Sequence, residues 1–186
     1  ITDLYYVMGK DKEQYFKVLH AQPVTPEFYF SVEYKVLNSP GTYQHHLANH
    51  ESPVFNLRYS SPSKKYHASA TYFHNKVQAD DHGGIQDLSY FKDSTEYNER
   101  QLIPVNLPNA RILIKGGGVH LNQLYHPYAD STLTKDSLGI GFYHDLYYQK
   151  DSYTYTDGGN VDGFYPAPLD IGEVKDSISI KKLVNS

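Results

Sequence analysis

The chain has no cysteine, no tryptophan and a single methionine among its 186 residues. Without cysteine there are no disulfides and no thiol chemistry, and the redox compartment stays open. No run of about 18 apolar residues occurs, so no helix of this chain is expected to cross a bilayer. Basic residues are not in excess: Lys+Arg number 17 against 21 Asp+Glu, for a formal net charge of -4. A nucleic-acid partner is therefore not expected. Catalytic signatures are missing as well. There is no Gly-x-Ser-x-Gly and no His-Glu-x-x-His, and Gly116-Gly117-Gly118 lacks the strand-turn-helix setting of a phosphate loop. We expect no enzyme and no cofactor. The mean hydropathy of -0.59 is that of a soluble protein. It does not argue against a barrel, because lipid-facing and lumen-facing residues alternate and average out.

Alternation is what the chain does have. Residues 27 to 36 place Phe28, Phe30, Val32, Tyr34 and Val36 on one side of a strand and Glu27, Tyr29, Ser31, Glu33 and Lys35 on the other. Ten residues match the roughly 9–11 that a tilted strand needs to cross a bilayer. The same period predicts strands at 2–8, 13–22, 53–60, 65–77, 110–125, 137–149 and 177–184. Gly116 to Gly118 predict a bulge or bend in the 110–125 strand. A short helix is expected around 94–101. No helical period, repeat, charge block or domain linker is visible.

Connection lengths decide between architectures. Tight turns at 23–26 and 61–64 alternate with long loops near 38–52, 78–109 and 151–172, and a moderate connection covers 126–136. Outer-membrane barrels sort short periplasmic turns from long external loops in this way. A sandwich with Greek-key order has no reason to do so. The expected fold is all-β: an antiparallel meander of about seven or eight strands over residues 1–186. It forms a transmembrane outer-membrane β-barrel or part of one. Closure follows because hydrocarbon cannot hydrogen-bond an open sheet edge. The runner-up is a soluble, exported β-sandwich that encloses Phe28, Phe30 and Val32 and binds glycans through exposed tyrosines.

In the barrel reading Phe28, Phe30, Val32, Tyr34 and Val36 face lipid, while Glu27, Glu33, Lys35 and Arg58 face the lumen. A solvated sheet face or a structural ion-pair ladder would read the same way. Lys115 and Asp145 have no firm side, since a bulge at Gly116–Gly118 would flip the register. Tyrosine is heavily used, at 19 residues beside 8 Phe. Tyr5, Tyr6, Tyr15, Tyr34, Tyr59, Tyr72, Tyr147 and Tyr148 are candidates for interfacial girdles. The plainer alternative is that Tyr suits half-buried pleated surfaces. No metal site is expected. The weak candidates are Asp80, Asp81 and His82, and a loop with His45, His46, His50 and Glu51. Both sets also read as ordinary polar loops.

Several stretches resemble a known family. They are Thr2-Asp3-Leu4-Tyr5-Tyr6-Val7-Met8-Gly9, Lys12-Glu13-Gln14-Tyr15-Phe16 and Tyr34-Lys35-Val36-Leu37-Asn38-Ser39-Pro40-Gly41-Thr42-Tyr43. Asn75-Lys76, Gly83-Gly84-Ile85 and Ile103-Pro104-Val105-Asn106-Leu107 extend the likeness. Over roughly the first 110 residues the chain resembles the Bacteroidota "putative porin" family. The resemblance implies an outer-membrane β-barrel for passive diffusion of small solutes, and it transfers no functional residues. A non-conducting barrel subunit of an outer-membrane complex is the alternative within that fold. Expected partners are outer-membrane lipid and lipopolysaccharide, other outer-membrane proteins and small solutes. The abundance of Tyr, Gly, Asn and Ser without Cys suits an exported protein, and a start at Ile1 suits one whose signal has been removed. Barrels usually finish on an aromatic residue, whereas this chain finishes Leu183-Val184-Asn185-Ser186. An interior segment of a longer barrel is the expectation.

Overall fold

The computed structural model describes residues 1–92, 99–127, 140–159, 164–165 and 173–186. Eight strands follow one another in a single sheet, each antiparallel to the next. They are β1 (Thr2–Met8), β2 (Gln14–Pro23), β3 (Phe28–Ser39), β4 (Ala48–Ser60), β5 (Tyr66–Asp80), β6 (Ala110–Tyr125), β7 (Phe142–Asp157) and β8 (Val174–Asn185). The sheet is open, with β1 and β8 at its edges. Among the described residues no second sheet covers it. Phe28, Phe30 and Val32 are therefore not enclosed between two layers, and the sandwich expectation fails.

Tight turns have clear local causes. Pro23 ends β2, and the Val24 N–H donates to the Phe28 carbonyl at 2.8 Å to close the turn. In the 61–65 turn, Lys64 takes a φ of 54°. The Ser61 N–H donates to the Tyr66 carbonyl at 2.8 Å, and the Ser61 hydroxyl accepts from the Tyr66 N–H at 3.0 Å. These two turns and the 126–141 connection lie at one end of the sheet. Connections 9–13, 40–47, 81–109 and 158–173 lie at the other, which we call the long-loop end.

Several strands outrun their apolar signal. Residues 48–52, expected in a loop, belong to β4, and residues 151–157 belong to β7. Their polar side chains hide the period, but the backbone ladders continue. Pro53 is thus a mid-strand residue. It keeps its place opposite Tyr34 of β3, while the β4–β5 pairing skips residues 52 and 53. The missing N–H is on the β5 side. Glu27 is not on β3 but in the turn before it. A short helical turn, α1, spans Ser89–Lys92, and a 3-10 turn spans Arg100–Leu102; most of the helix expected around 94–101 falls outside the described residues. Residues 93–98 lie outside the described residues, as do 137–139 of the strand expected at 137–149.

No bulge occurs at Gly116–Gly118. The register of β6 runs unbroken against both β5 and β7. The glycines make room instead. A Cβ on Gly118 would lie 2.2 Å from the Tyr148 carbonyl oxygen, and one on Gly116 would lie 2.5 Å from Asp151 Oδ1.

The buried apolar residues are not in the middle of the sheet. Ile103, Val105 and Leu107 sit in the 81–109 connection, beside Ala110 at the start of β6. There the β5–β6 hairpin continues as a narrow ribbon. The Leu107 N–H donates to the His82 carbonyl at 3.0 Å, and the Asn106 N–H donates to the Gly84 carbonyl at 2.9 Å. Gly83 and Gly84 have φ values of 61° and 87°, a left-handed pair that redirects the chain.

Candidate functional site

Strand register sorts the side chains onto two faces, and the two differ in kind. One carries Phe28, Phe30, Val32, Tyr34 and Val36. Opposite them on β4 stand Tyr59, Leu57, Phe55, Pro53 and Glu51. The face continues through Tyr66, Ala68, Ala70 and Tyr72 of β5, Val119 and Leu121 of β6, and Leu146 and Tyr148 of β7. Phe55, Leu57 and Tyr72 are 45%, 46% and 46% exposed, large apolar surfaces left open among the described residues. Contiguous exposed apolar surface of this extent calls for a covering medium or partner.

The apolar band is slanted. Toward the long-loop end its last members are Met8, Phe16, Val36, Pro53, Tyr72, Val119 and Tyr148, from β1 to β7. The hydrogen-bonded row that starts at Met8 runs instead through Gln14, Asn38, Asn49, Gln78 and Leu113 to Thr154. That row ends six residues beyond Tyr148, and only Leu113 in it is apolar after Met8. The boundary thus slips by about one residue per strand. With about 3.3 Å per residue along a strand and about 4.8 Å between strands, the slope is about 35°. Strands in transmembrane barrels tilt by about 35–45°. A flat boundary on this sheet would lie level only if its strands were tilted by that angle.

The other face carries a hydrogen-bonded polar belt. The Thr71 hydroxyl donates to Asn56 Oδ1 at 2.8 Å, and Asn56 Nδ2 donates to the Ser31 hydroxyl at 3.1 Å. Next to Thr71 stands His120, whose Nε2 meets Asp145 Oδ1. Asn122 Nδ2 donates to the same oxygen at 3.2 Å. Tyr147 donates to Gln149, which donates to Asp151 at 2.7 Å. On β1–β3 this face holds two ion pairs, Lys17–Asp3 at 3.5 Å and Lys35–Glu33 at 2.6 Å. Such half-exposed pairs add little stability. Toward the long-loop end of β5 and β6 the face turns apolar, through Val77, Ile112 and Ile114.

At that end stands a buried carboxylate. Asp157 is 0% exposed. It accepts from the Tyr165 hydroxyl at 2.8 Å and from the Gly159 N–H at 3.0 Å. Tyr165 in turn shares a 2.7 Å hydrogen bond with Tyr155. Burial, helped by its bonds to Tyr155 and Asp157, pushes the Tyr165 phenol well above its ordinary pKa. Phe164 reaches over Gly83 beside Leu107, so the 158–173 and 81–109 connections are joined here.

The expected site residues fall as follows. Phe28, Phe30, Val32, Tyr34 and Val36 share the apolar face. Glu33, Lys35 and Arg58 share the polar one, and Glu27 lies in the turn. Lys115 is on the apolar face and Asp145 on the polar face. Of the girdle candidates, Tyr6, Tyr34, Tyr59, Tyr72 and Tyr148 lie on the apolar face. Tyr5, Tyr15 and Tyr147 lie on the other, since chain neighbours such as Tyr5 and Tyr6 cannot both face one way.

The weak metal candidates do not converge. Asp80 pairs with Arg111 at 3.0 Å, Asp81 accepts from the Gly83 N–H, and His82 accepts from the Gly84 N–H. The His82 ring packs on His46 at 5.1 Å. His50 and Glu51 belong to β4 and point to opposite faces. Among the described residues no group of three or more His, Cys, Asp and Glu could hold a metal ion. Sequence reasoning missed the belt of Ser31, Asn56, Thr71, His120, Asn122 and Asp145. Its signal was present in the alternate positions of β3 to β7.

An eight-stranded antiparallel meander with one exposed apolar face and one polar face defines a class: the wall of a β-barrel. The profile of the family described as "Putative porin" matches residues 1–186, the whole chain. The chain belongs to that family. Neither the curated proteins nor the solved structures gave a match. The family assignment points to an outer-membrane location and to a channel-type protein rather than an enzyme.

Proposed function

We propose that this chain forms the wall of an outer-membrane pore through which small solutes diffuse passively. The apolar face lies against hydrocarbon, with Phe28, Phe30, Val32, Tyr34 and Val36 in its densest row. The polar face lines a water-filled lumen, where Glu33, Lys35 and Arg58 tune which solutes pass. The long-loop end is external, so outer-membrane lipid and lipopolysaccharide surround the barrel there. Other outer-membrane proteins are potential neighbours.

The slanted apolar boundary carries this reading. A sheet in water has no reason to let its apolar edge slip by one residue per strand, whereas a tilted wall between two water layers requires it. Planar-bilayer recording on the full-length protein is the test. Discrete conductance steps are expected, and insertion without any steps would defeat the pore. A second reading, a non-conducting barrel subunit of an outer-membrane complex, draws on the Tyr155–Tyr165–Asp157 cluster at the mouth of the polar face. Silent insertion in the same recording would favour it.

A further inference from the structure

Four lysines stand on the apolar side of the sheet just past its apolar boundary. Lys76 is directly opposite Lys115, and Lys150 is directly opposite Lys181. Like charges facing each other across strands oppose pairing. None of the four has an ion pair among the described residues. Glu51, opposite Lys76, is the nearby carboxylate of this face, while Asp145 and Asp151 point the other way.

Between these lysines the surface is notched. A depression of about 350 Å³ is lined by Tyr72, His74, Lys115, Gly117, Tyr148 and Lys150. Its floor is bare backbone at Gly117, where a Cβ would come within 3.0 Å of His74 Nδ1 and the Phe73 carbonyl. Two phenols mark the apolar side of the notch, and two ammonium groups with an imidazole mark the other. Val119 and Leu121 continue from it into the band.

We infer that this notch binds the phosphate-bearing headgroup of a lipid in the outer leaflet. The inference rests on the proposed orientation, with this face toward lipid and the long loops outside. Lysine ammonium groups bind phosphate as point charges. Cations beside a bilayer are drawn to anionic headgroups. The phosphate neutralises Lys115 and Lys150, the tyrosine hydroxyls reach the polar headgroup, and the acyl chains run down over Val119, Leu121 and Leu146. An anion in the notch also relieves the repulsion between the facing lysines.

The test uses the full-length protein, with native mass spectrometry from detergent to count retained lipid. The probes are diphosphoryl lipid A, the same lipid without its phosphates, and inorganic phosphate alone. Wild type is expected to retain the phosphorylated lipid at least about tenfold better than the dephosphorylated one, the worth of roughly one charge-assisted contact. Lys115→Gln with Lys150→Gln should abolish that preference, and Lys115→Arg with Lys150→Arg should restore it. Gly117→Ala, which fills the floor, should weaken it while leaving both cations. Lys182→Gln, on the opposite face, should leave it unchanged. Equal retention of both lipids, or equal loss in the Lys182 variant, overturns the inference. Inorganic phosphate binding with the same lysine dependence and no lipid preference reassigns the notch to a free anion and overturns the lipid. Vesicle insertion is followed in parallel. A wild type that does not insert refutes the membrane reading itself, whereas one that inserts without a phosphate preference refutes only the notch.

Discussion

Phe30 and Leu57 stand directly opposite each other on β3 and β4, while the residues beside them, Ser31 and Asn56, face each other on the reverse side and share a hydrogen bond. One step along the chain thus passes from the apolar band to the polar belt. Leu57→Lys should destabilise the full-length protein in vesicles by about 2–4 kcal/mol, the cost of a cation on a lipid-facing site near the midplane. Asn56→Lys should cost far less, because that side is wet. Denaturant unfolding from lipid vesicles measures both. Equal costs would show that neither face meets hydrocarbon.

Lys35 holds Glu33 at 2.6 Å and faces Lys17 of β2. Lys35→Glu removes a cation from this side and adds an anion. In a conducting pore, selectivity should move toward cations, seen as a shift in reversal potential under a salt gradient. Tyr34→Phe, on the other face, should leave the reversal potential where it was. A shift in both variants, or in neither, removes Lys35 from the lumen.

Tyr165 keeps its proton because burial and its bonds to Tyr155 and Asp157 disfavour the phenolate. Its folded pKa is raised above the ordinary 10.0. The stabilisation is therefore complete below pH 10 and declines above it, once the open form can ionise. Limited proteolysis of the 158–173 connection should accelerate above that pH. In Tyr165→Phe cleavage should be faster at neutral pH and lack this alkaline step. An alkaline step of the same size in the variant would rule Tyr165 out as its origin.

Gly118 and Gly116 are both narrow places on β6, but their obstacles differ. A methyl on Gly118 meets the Tyr148 backbone carbonyl at 2.2 Å, while one on Gly116 meets the movable tip of Asp151. Gly118→Ala should cost about 1–3 kcal/mol, the usual range for overpacking. Gly116→Ala should cost under about 1 kcal/mol, since the carboxylate can swing aside. Denaturant midpoints compare the two directly. A larger loss at Gly116 would contradict the register of β6 against β7.

The face of each residue was legible wherever apolar and polar side chains alternate. Phe55, Leu57 and Tyr59 against Asn56 and Arg58 is one such run, whereas Ile112 to Lys115 is not, since Leu113 interrupts the alternation and Lys115 lies on the apolar face. Strand ends were not legible where both faces are polar, as in Asp151 to Asp157, because a ladder can continue without an apolar period. Gly116–Gly118 read as a bend because glycine supplies both flexibility and space, and sequence does not say which is used. The Asn56–Thr71 and His120–Asp145 contacts depend on register between strands, which single-strand periodicity does not carry. The lysine pairs stayed hidden for the same reason: Lys76 and Lys115 are far apart in the chain and meet only across β5 and β6.

Each strand of this sheet pairs only with its neighbours in chain order, β2 to β7 on both sides and the edge strands β1 and β8 on one. Among the described residues, no pairing within this sheet needs a strand that is not next in the chain. Such a wall can zip up hairpin by hairpin, each new pair using the last strand laid down as its template. The backbone left waiting at each stage is the two margins of this sheet, β1 and the last strand laid down, so the burden on an assembly factor is to shield those margins from water and lipid.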